Sequence, residues 1–268
     1  MFFADSHTHS ICSPDSEVPM VEMAKRAVQY GLTALTLTDH CDLLNYEGGQ
    51  RELEYDWAPV DRERKAMLDA FGTQIDLPMG LELGMGHIAP DATRKILSQP
   101  GLDFVIGAVH NNSEDTGGVD FCLGDYSTLD NCYKALDNYF PSMIEMAGAG
   151  FYDVVAHIIY PLRYMAGDYP TPSLDRYKDH IHEIMRLAVE SGKGIEINTW
   201  KGQTLEEWLP ILKMYKDLHG EIITVGSDAH APTPIGRGIR QVYQMMQDVG
   251  FRYVALYHDR KPDMIRLK

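Results

Sequence analysis

In the stretch "ADSHTHS" (4–10) two histidines stand two residues apart. Residues at i and i+2 of a strand share a face, so His7 and His9 would aim at one point, as a metal site requires. Alone, so short a pattern is equally a polar strand end with two solvated side chains, and partners elsewhere must decide. Asp39 and His40 close "LTALTLTDH", Glu82 lies at the end of "LPMGLEL", and His110 closes "DFVIGAVH". His157 closes "YDVVAH", and Asp228 and His230 end "EIITVGSDAH". Six of the eleven histidines therefore sit where apolar, β-branched runs stop. Imidazole suits zinc, iron and manganese, and carboxylates supply hard oxygens that can bridge ions. Those six with Glu82, Asp228 and the nearby Asp15 make nine ligands, which at three or four per ion, with positions left open for water and substrate, fits three divalent ions.

Such a set needs a scaffold that gathers strand ends. Short apolar runs that read as strands recur at 1–5, 32–39, 77–83, 103–110, 152–157, 194–199, 221–228 and 252–258. Between them, segments with helical spacing cover 18–31, 61–72, 129–150, 173–192 and 205–220, several stopped by a glycine suited to a C-cap. Strand and helix alternating about seven times, with no low-complexity linker, predicts one α/β domain over 1–268 built as a closed or nearly closed β/α barrel. Residues 41–59 and 111–126 are polar, rich in turn formers and follow strands, so they are expected as active-site loops on the C-terminal face.

Composition narrows the function. Among 268 residues, 24 are basic and 39 acidic, and the formal charge of −15 disfavours binding to an extended phosphate backbone. The four cysteines show no C-x-x-C spacing and no apolar leader follows a basic start, so a reduced, cytoplasmic protein is expected. No apolar run is long enough to cross a bilayer, and no membrane association is expected. Three bound cations would still make the mouth locally cationic and draw in a small phosphate ester.

The motifs "DSHTHS" with Asp15 after it, "LTDH", "GLELG", "GAVH", "VVAHIIYPLRY", "EINT" and "GSDAH" together resemble the polymerase and histidinol phosphatase (PHP) superfamily over nearly the whole chain. The resemblance implies a distorted (β/α)7 TIM-like barrel with a trinuclear metal centre. It assigns His7, His9, Glu82 and Asp228 to a first ion, Glu82 as a bridge with His110 and His157 to a second, and Asp15, His40 and His230 to a third. Length, "GLELG" and "HIIYPLRY" look most like the stand-alone histidinol-phosphate phosphatases, which release L-histidinol and phosphate in histidine biosynthesis. Those enzymes follow their "EINT" with a small residue and an arginine, whereas this chain has Trp200 and Lys201. Lys201 can replace that arginine as a point charge, without its planar fork.

Other side chains carry two readings each. Arg163, in the loop after the His157 strand, either clamps phosphate or braces the loop, and the "LRY" resemblance favours the clamp. Asp39 faces away from His40 by strand alternation, so it either supports a ligand or donates a proton to the leaving group, against simple loop capping. Asn198 is expected to orient substrate and Glu196 to satisfy hydrogen bonds at the barrel mouth. The competing functions are a nucleotide-directed phosphodiesterase, which would want a basic groove, and a barrel storing structural metal, which would want closed coordination.

Overall fold

The computed structural model describes residues 2–165 and 167–268; Met1, the first residue of the expected opening strand, lies outside them. The chain runs β1 (Ala4–Thr8), α1 (Met20–Tyr30), β2 (Ala34–Leu37), β3 (His40–Asp42), α2 (Trp57–Phe71), β4 (Gly80–Gly84) and α3 (Pro90–Ile96). It continues β5 (Phe104–Ala108), α4 (Leu129–Ala149), β6 (Val154–Val155), α5 (Lys178–Glu190), β7 (Gly194–Asn198), α6 (Trp208–Asp217) and β8 (Ile223–Gly226). Helix α7 (Ile239–Val249) and strands β9 (Tyr253–His258) and β10 (Lys261–Arg266) complete it.

Strands β3 to β8 pair parallel in sequence order, and β1 pairs parallel with β2. Backbone bonds join the two groups. Asp228 N–H donates to His7 O and His9 N–H to Ala229 O, both at 2.9 Å, while Leu35 N–H donates to Asp76 O at 2.9 Å just ahead of β4. The ladder thus passes from β8 through β1 and β2 to β4, and all strand C-termini open on one mouth. With β2 and β3 taken as one interrupted strand, this is the seven-stranded α/β arrangement expected. The interruption differs from the continuous strand expected over 32–39. Thr38 N–H still bonds Thr8 O (2.8 Å), but from His40 the chain swings to pair with β4, His40 opposite Glu82 and Asp42 opposite Gly84.

The outer helices bury one stripe each. In α1 it is Met20, Met23, Ala24 and Ala27, in α5 Ile181, Ile184, Met185 and Ala188, and in α7 Ile239, Val242, Tyr243 and Met246, the same i, i+3, i+4, i+7 spacing each time. His180 and His182 lie on α5 far from the mouth, His182 exposed, in keeping with their diverging positions.

An unexpected hairpin closes the opposite end of the ring. Strands β9 and β10 pair antiparallel around Asp259 and Arg260, whose positive φ angles (48° and 61°) match the twist that a two-residue hairpin turn demands. Ala255 and Tyr257 pack with Phe104, Ile106 and Val154, and Arg260 N–H donates to Asp103 O (2.9 Å) at the foot of β5. Apolar side chains therefore fill the N-terminal opening, and the C-terminal mouth is where polar groups gather.

Candidate metal centre

β1 turns His7 and His9 to one side, both fully buried, and each ring is held by its Nδ1. His7 Nδ1–H donates to Glu196 Oε1 (2.6 Å) and His9 Nδ1–H to Ser13 Oγ (3.0 Å), so both Nε2 atoms face inward, 3.0 Å apart. Two glycines allow this crowding. A Cβ on Gly226 would stand 2.2 Å from His7 Cβ, and one on Gly84 would stand 1.6 Å from Asp42 Oδ1.

Glu82 lies at the centre. Its Oε2 is 3.3 Å from His7 Nε2 and 3.4 Å from His9 Nε2, and its Oε1 is 2.7 Å from His157 Nε2 and 3.2 Å from His110 Nε2. Asp228 Oδ1 approaches His9 Nε2 at 3.2 Å and His7 Nε2 at 3.6 Å. The edges of a tetrahedron of ligands around a zinc-sized ion at ~2.0–2.1 Å measure about 3.3–3.4 Å. His7, His9, Glu82 and Asp228 reproduce five such edges between 3.0 and 3.6 Å. His110, His157 and Glu82 form a second group, with the two Nε2 atoms 3.4 Å apart. His40 and His230 each lie against His9, at 4.4 and 4.0 Å between centroids and 5.9 Å from one another, and Asp15 Oδ2 reaches His230 Nε2 at 2.8 Å and His40 Nε2 at 3.8 Å. The nine expected ligands are therefore brought together, in groups that can hold metal ions.

The electrostatics say the same. Burial opposes charging of His7, but the carboxylates of Glu196, Glu82 and Asp228 raise its pKa well above the ordinary value. Burial and the neighbouring His230 and His40 push His9 down to about 3. Burial would raise Glu82, yet His7, His110 and His40 hold it well below the carboxylate range. Buried imidazoles this close present lone pairs to one another unless a cation, a proton or a metal, lies between them, and His40 Nδ1 is buried without a hydrogen bond. Donor set, spacing and tautomers fit divalent metal.

Supporting residues complete the cage, some of them missed by sequence reasoning. Asp42 Oδ1 accepts from His110 Nδ1–H (2.7 Å) and fixes that ring, and its Oδ2 lies 3.3 Å from His40 Nδ1; it was hidden in a segment read as loop. Glu196 holds His7 with one oxygen and accepts the His157 backbone N–H (2.9 Å) with the other. Asp39 does not reach the cavity: it accepts from Ser10 N–H, Ser10 Oγ–H and Ser13 Oγ–H at 2.6–2.8 Å, and so steadies His9 through Ser13. Asn198 is also behind the wall, its amide donating to Asp228 Oδ2 and Glu196 Oε1, both at 3.1 Å.

The cavity above the ligands, about 260 Å³, is walled on its open side by Tyr160, Arg163, Tyr164 and Trp200. Arg163 lies in a 3-10 turn over Tyr160–Tyr164; its Nη1 pairs with Asp228 Oδ2 at 2.8 Å and its buried Nη2 has no partner among the described residues. Lys201 does not line the cavity, and its Nζ stands 4.1 Å from the Trp200 ring centroid. Among the described residues no helix is long and apolar enough to cross a membrane.

Comparison with known proteins agrees with this geometry. The PHP domain matches residues 5–200. A probable histidinol-phosphatase of Clostridium acetobutylicum is 28% identical, covering 93% of this chain and 95% of that protein. Another from Thermotoga maritima is 28% identical over 94% of each chain. The crystal structure of histidinol phosphate phosphatase from Lactococcus lactis subsp. lactis, complexed with zinc, L-histidinol and phosphate, has a TM-score of 0.82 and 25% identity, covering 97% of this chain and 98% of that one.

Proposed function

Because the chain belongs to the PHP domain family, we propose that it is a metal-dependent phosphomonoesterase that hydrolyses L-histidinol phosphate to L-histidinol and phosphate. The observation that carries this reading is the cavity itself, where inward-facing imidazoles and carboxylates meet a buried arginine with a free N–H edge. Three ions are proposed, held by His7, His9, Glu82 and Asp228, by Glu82, His110 and His157, and by Asp15, His40 and His230. Zinc is favoured by the imidazole-rich set and by the Lactococcus enzyme, with manganese or iron as the alternatives. Such ions supply Lewis-acid charge and acidify water toward neutral pH.

The chain's own residues then have definable work. Arg163 offers its guanidinium to a non-bridging phosphate oxygen, a charge-assisted contact in a dry wall. Glu196 and Asp42 keep His7 and His110 in the tautomer that points Nε2 inward, and Asp39 does so for His9 through Ser13. Asp39 and Asn198 are thus assigned to positioning. The acid surface repels long polyanions, so the substrate is small; the reading treats the protein as a cytoplasmic biosynthetic enzyme.

Phosphate release from a panel of monoesters, including L-histidinol phosphate, beside a dinucleotide diester tests the proposal. Histidinol phosphate should be the best substrate by kcat/KM. A preference for the diester would replace the reading with a nucleotide-directed phosphoesterase.

A further inference from the structure

Trp200 has an unusual backbone and an unusual neighbour. Its φ is +45°, and Lys201 (+59°) and Gly202 (+86°) continue the left-handed turn. A bulky aromatic residue pays for that conformation, so the surroundings must hold it there. They do: Asn198 Oδ1 accepts the Trp200 N–H at 2.8 Å, and Ser227 O accepts the Lys201 N–H at 2.8 Å. The result is an indole placed 4.1 Å from the Arg163 guanidinium carbon, with the Tyr160 ring 5.0 Å from that carbon.

Both aromatic rings therefore contact one guanidinium whose Nη1 is tied to Asp228 and whose buried Nη2 has no partner among the described residues. An arginine side chain loses considerable rotamer freedom when it is fixed on a ligand; here that loss is taken on folding, before any ligand arrives. The stack also sits where a second cation was expected. Lys201 is turned onto Trp200 and does not line the cavity, which leaves Arg163 as the wall's one guanidinium or ammonium among the described residues.

We infer that Trp200 is a positioning residue for phosphate recognition: its ring locks the Arg163 guanidinium in the cavity wall, so that one preorganised arginine serves in place of two mobile cations. The inference rests on the phosphatase reading and assigns a determinant within it. Phosphate bound by the Arg163 guanidinium lies close to the indole, so the ring also reports binding.

The test uses the metal-loaded protein and inorganic phosphate, read as product inhibition and as tryptophan emission. Trp200→Leu keeps bulk and removes the π face; it should weaken phosphate inhibition about ten- to thirtyfold, the fold-change of a desolvated cation–π contact, while metal content and melting temperature hold. Trp200→Phe restores a face and should stay within about threefold. Saturable, phosphate-dependent emission should be present in the wild type, absent in Trp200→Phe although Trp57 and Trp208 remain, and absent in Arg163→Ala. Unchanged phosphate inhibition in Trp200→Leu, or a larger loss from Lys201→Ala than from Trp200→Leu, would overturn the inference. If Trp200→Leu is unchanged while Arg163→Ala is impaired, the phosphatase reading survives without it. If the wild type binds phosphate with the emission change but releases none from any monoester, the phosphatase reading fails instead.

Discussion

Replacing Glu82 by glutamine keeps its shape and removes its charge. The carboxylate is 1% exposed, and its two oxygens stand within 2.7–3.4 Å of nitrogens on His7, His9, His40, His110 and His157. In metal-free protein those rings share protons with it, and taking one partner from a buried charged network costs about 3–5 kcal/mol. For a chain of this size that corresponds to a melting temperature lower by roughly 6–20 °C. With metal, the loss takes another form. The same side chain closes two of the ligand groups, so elemental analysis of Glu82→Gln purified without chelator should show two ions missing per chain, and hydrolysis should fall below detection. The assay pairs metal content with melting curves before and after chelation. A variant with full metal content and near-normal turnover would refute the bridging role. A metal-free variant as stable as the metal-free wild type would refute the charged-network account.

Arg163→Ala should keep its metal and lower kcat/KM about ten- to a hundredfold, as for a lost charge-assisted contact, with Arg163→Lys recovering part; full activity of the lysine variant would reduce the residue to a distant charge. Asp42→Asn leaves the ligands in place but loosens the His110 ring, so metal affinity, read by competition with a chelator, should drop about ten- to a hundredfold; unchanged affinity would mean that the ring needs no such support. His258 pairs with Asp263 inside the hairpin (2.8 Å) and links the hairpin to the body through Asp76 (3.0 Å). Burial opposes its charging, but those carboxylates raise its pKa, so its stabilisation is complete below the ordinary histidine value and fades as pH rises through the raised one. At 40% side-chain exposure the effect is screened to about 1 kcal/mol or less, and His258→Gln should remove it, flattening the fall in melting temperature from pH 6 to 8; an equal fall in both proteins would exclude His258.

Strand ends were legible because a period of two and a β-branched run are local signals. His7, His9, His110, His157 and Asp228 could be placed on one mouth from spacing alone, and the structure puts them there. What escaped depended on geometry between distant segments. Asp42 became visible only once β3 peeled away from β2 to pair with Gly84, whose missing Cβ makes room for it. Asn198 was expected to orient substrate and Asp39 either to support a ligand or to donate a proton to the leaving group; both side chains lie behind the wall, Asp39 on Ser10 and Ser13 and Asn198 on Asp228 and Glu196. Trp200 was noticed as a departure without its meaning, since nothing local reveals that a left-handed turn will swing an indole onto Arg163. Strand β10 carries Pro262 and charged residues that read as loop, and it forms because β9 offers it an edge. Helix α7 had a clear apolar stripe in the sequence and went unread.

The strand ring has a consequence for how the protein is made. β1 leaves the ribosome long before its neighbour on one side, the segment around Asp228, and Asp5 accepts from Ser227 N–H and Gly236 N–H, both at 2.8 Å. Contacts spanning more than two hundred residues form late, after long loop closures. Until those residues clear the exit tunnel, His7 and His9 have only half their companions, and the nascent chain exposes an unpaired strand edge and apolar surface to the cell. The full set of candidate ligands is therefore assembled only late, and a chain truncated before residue 228 should appear as an aggregation substrate for chaperones.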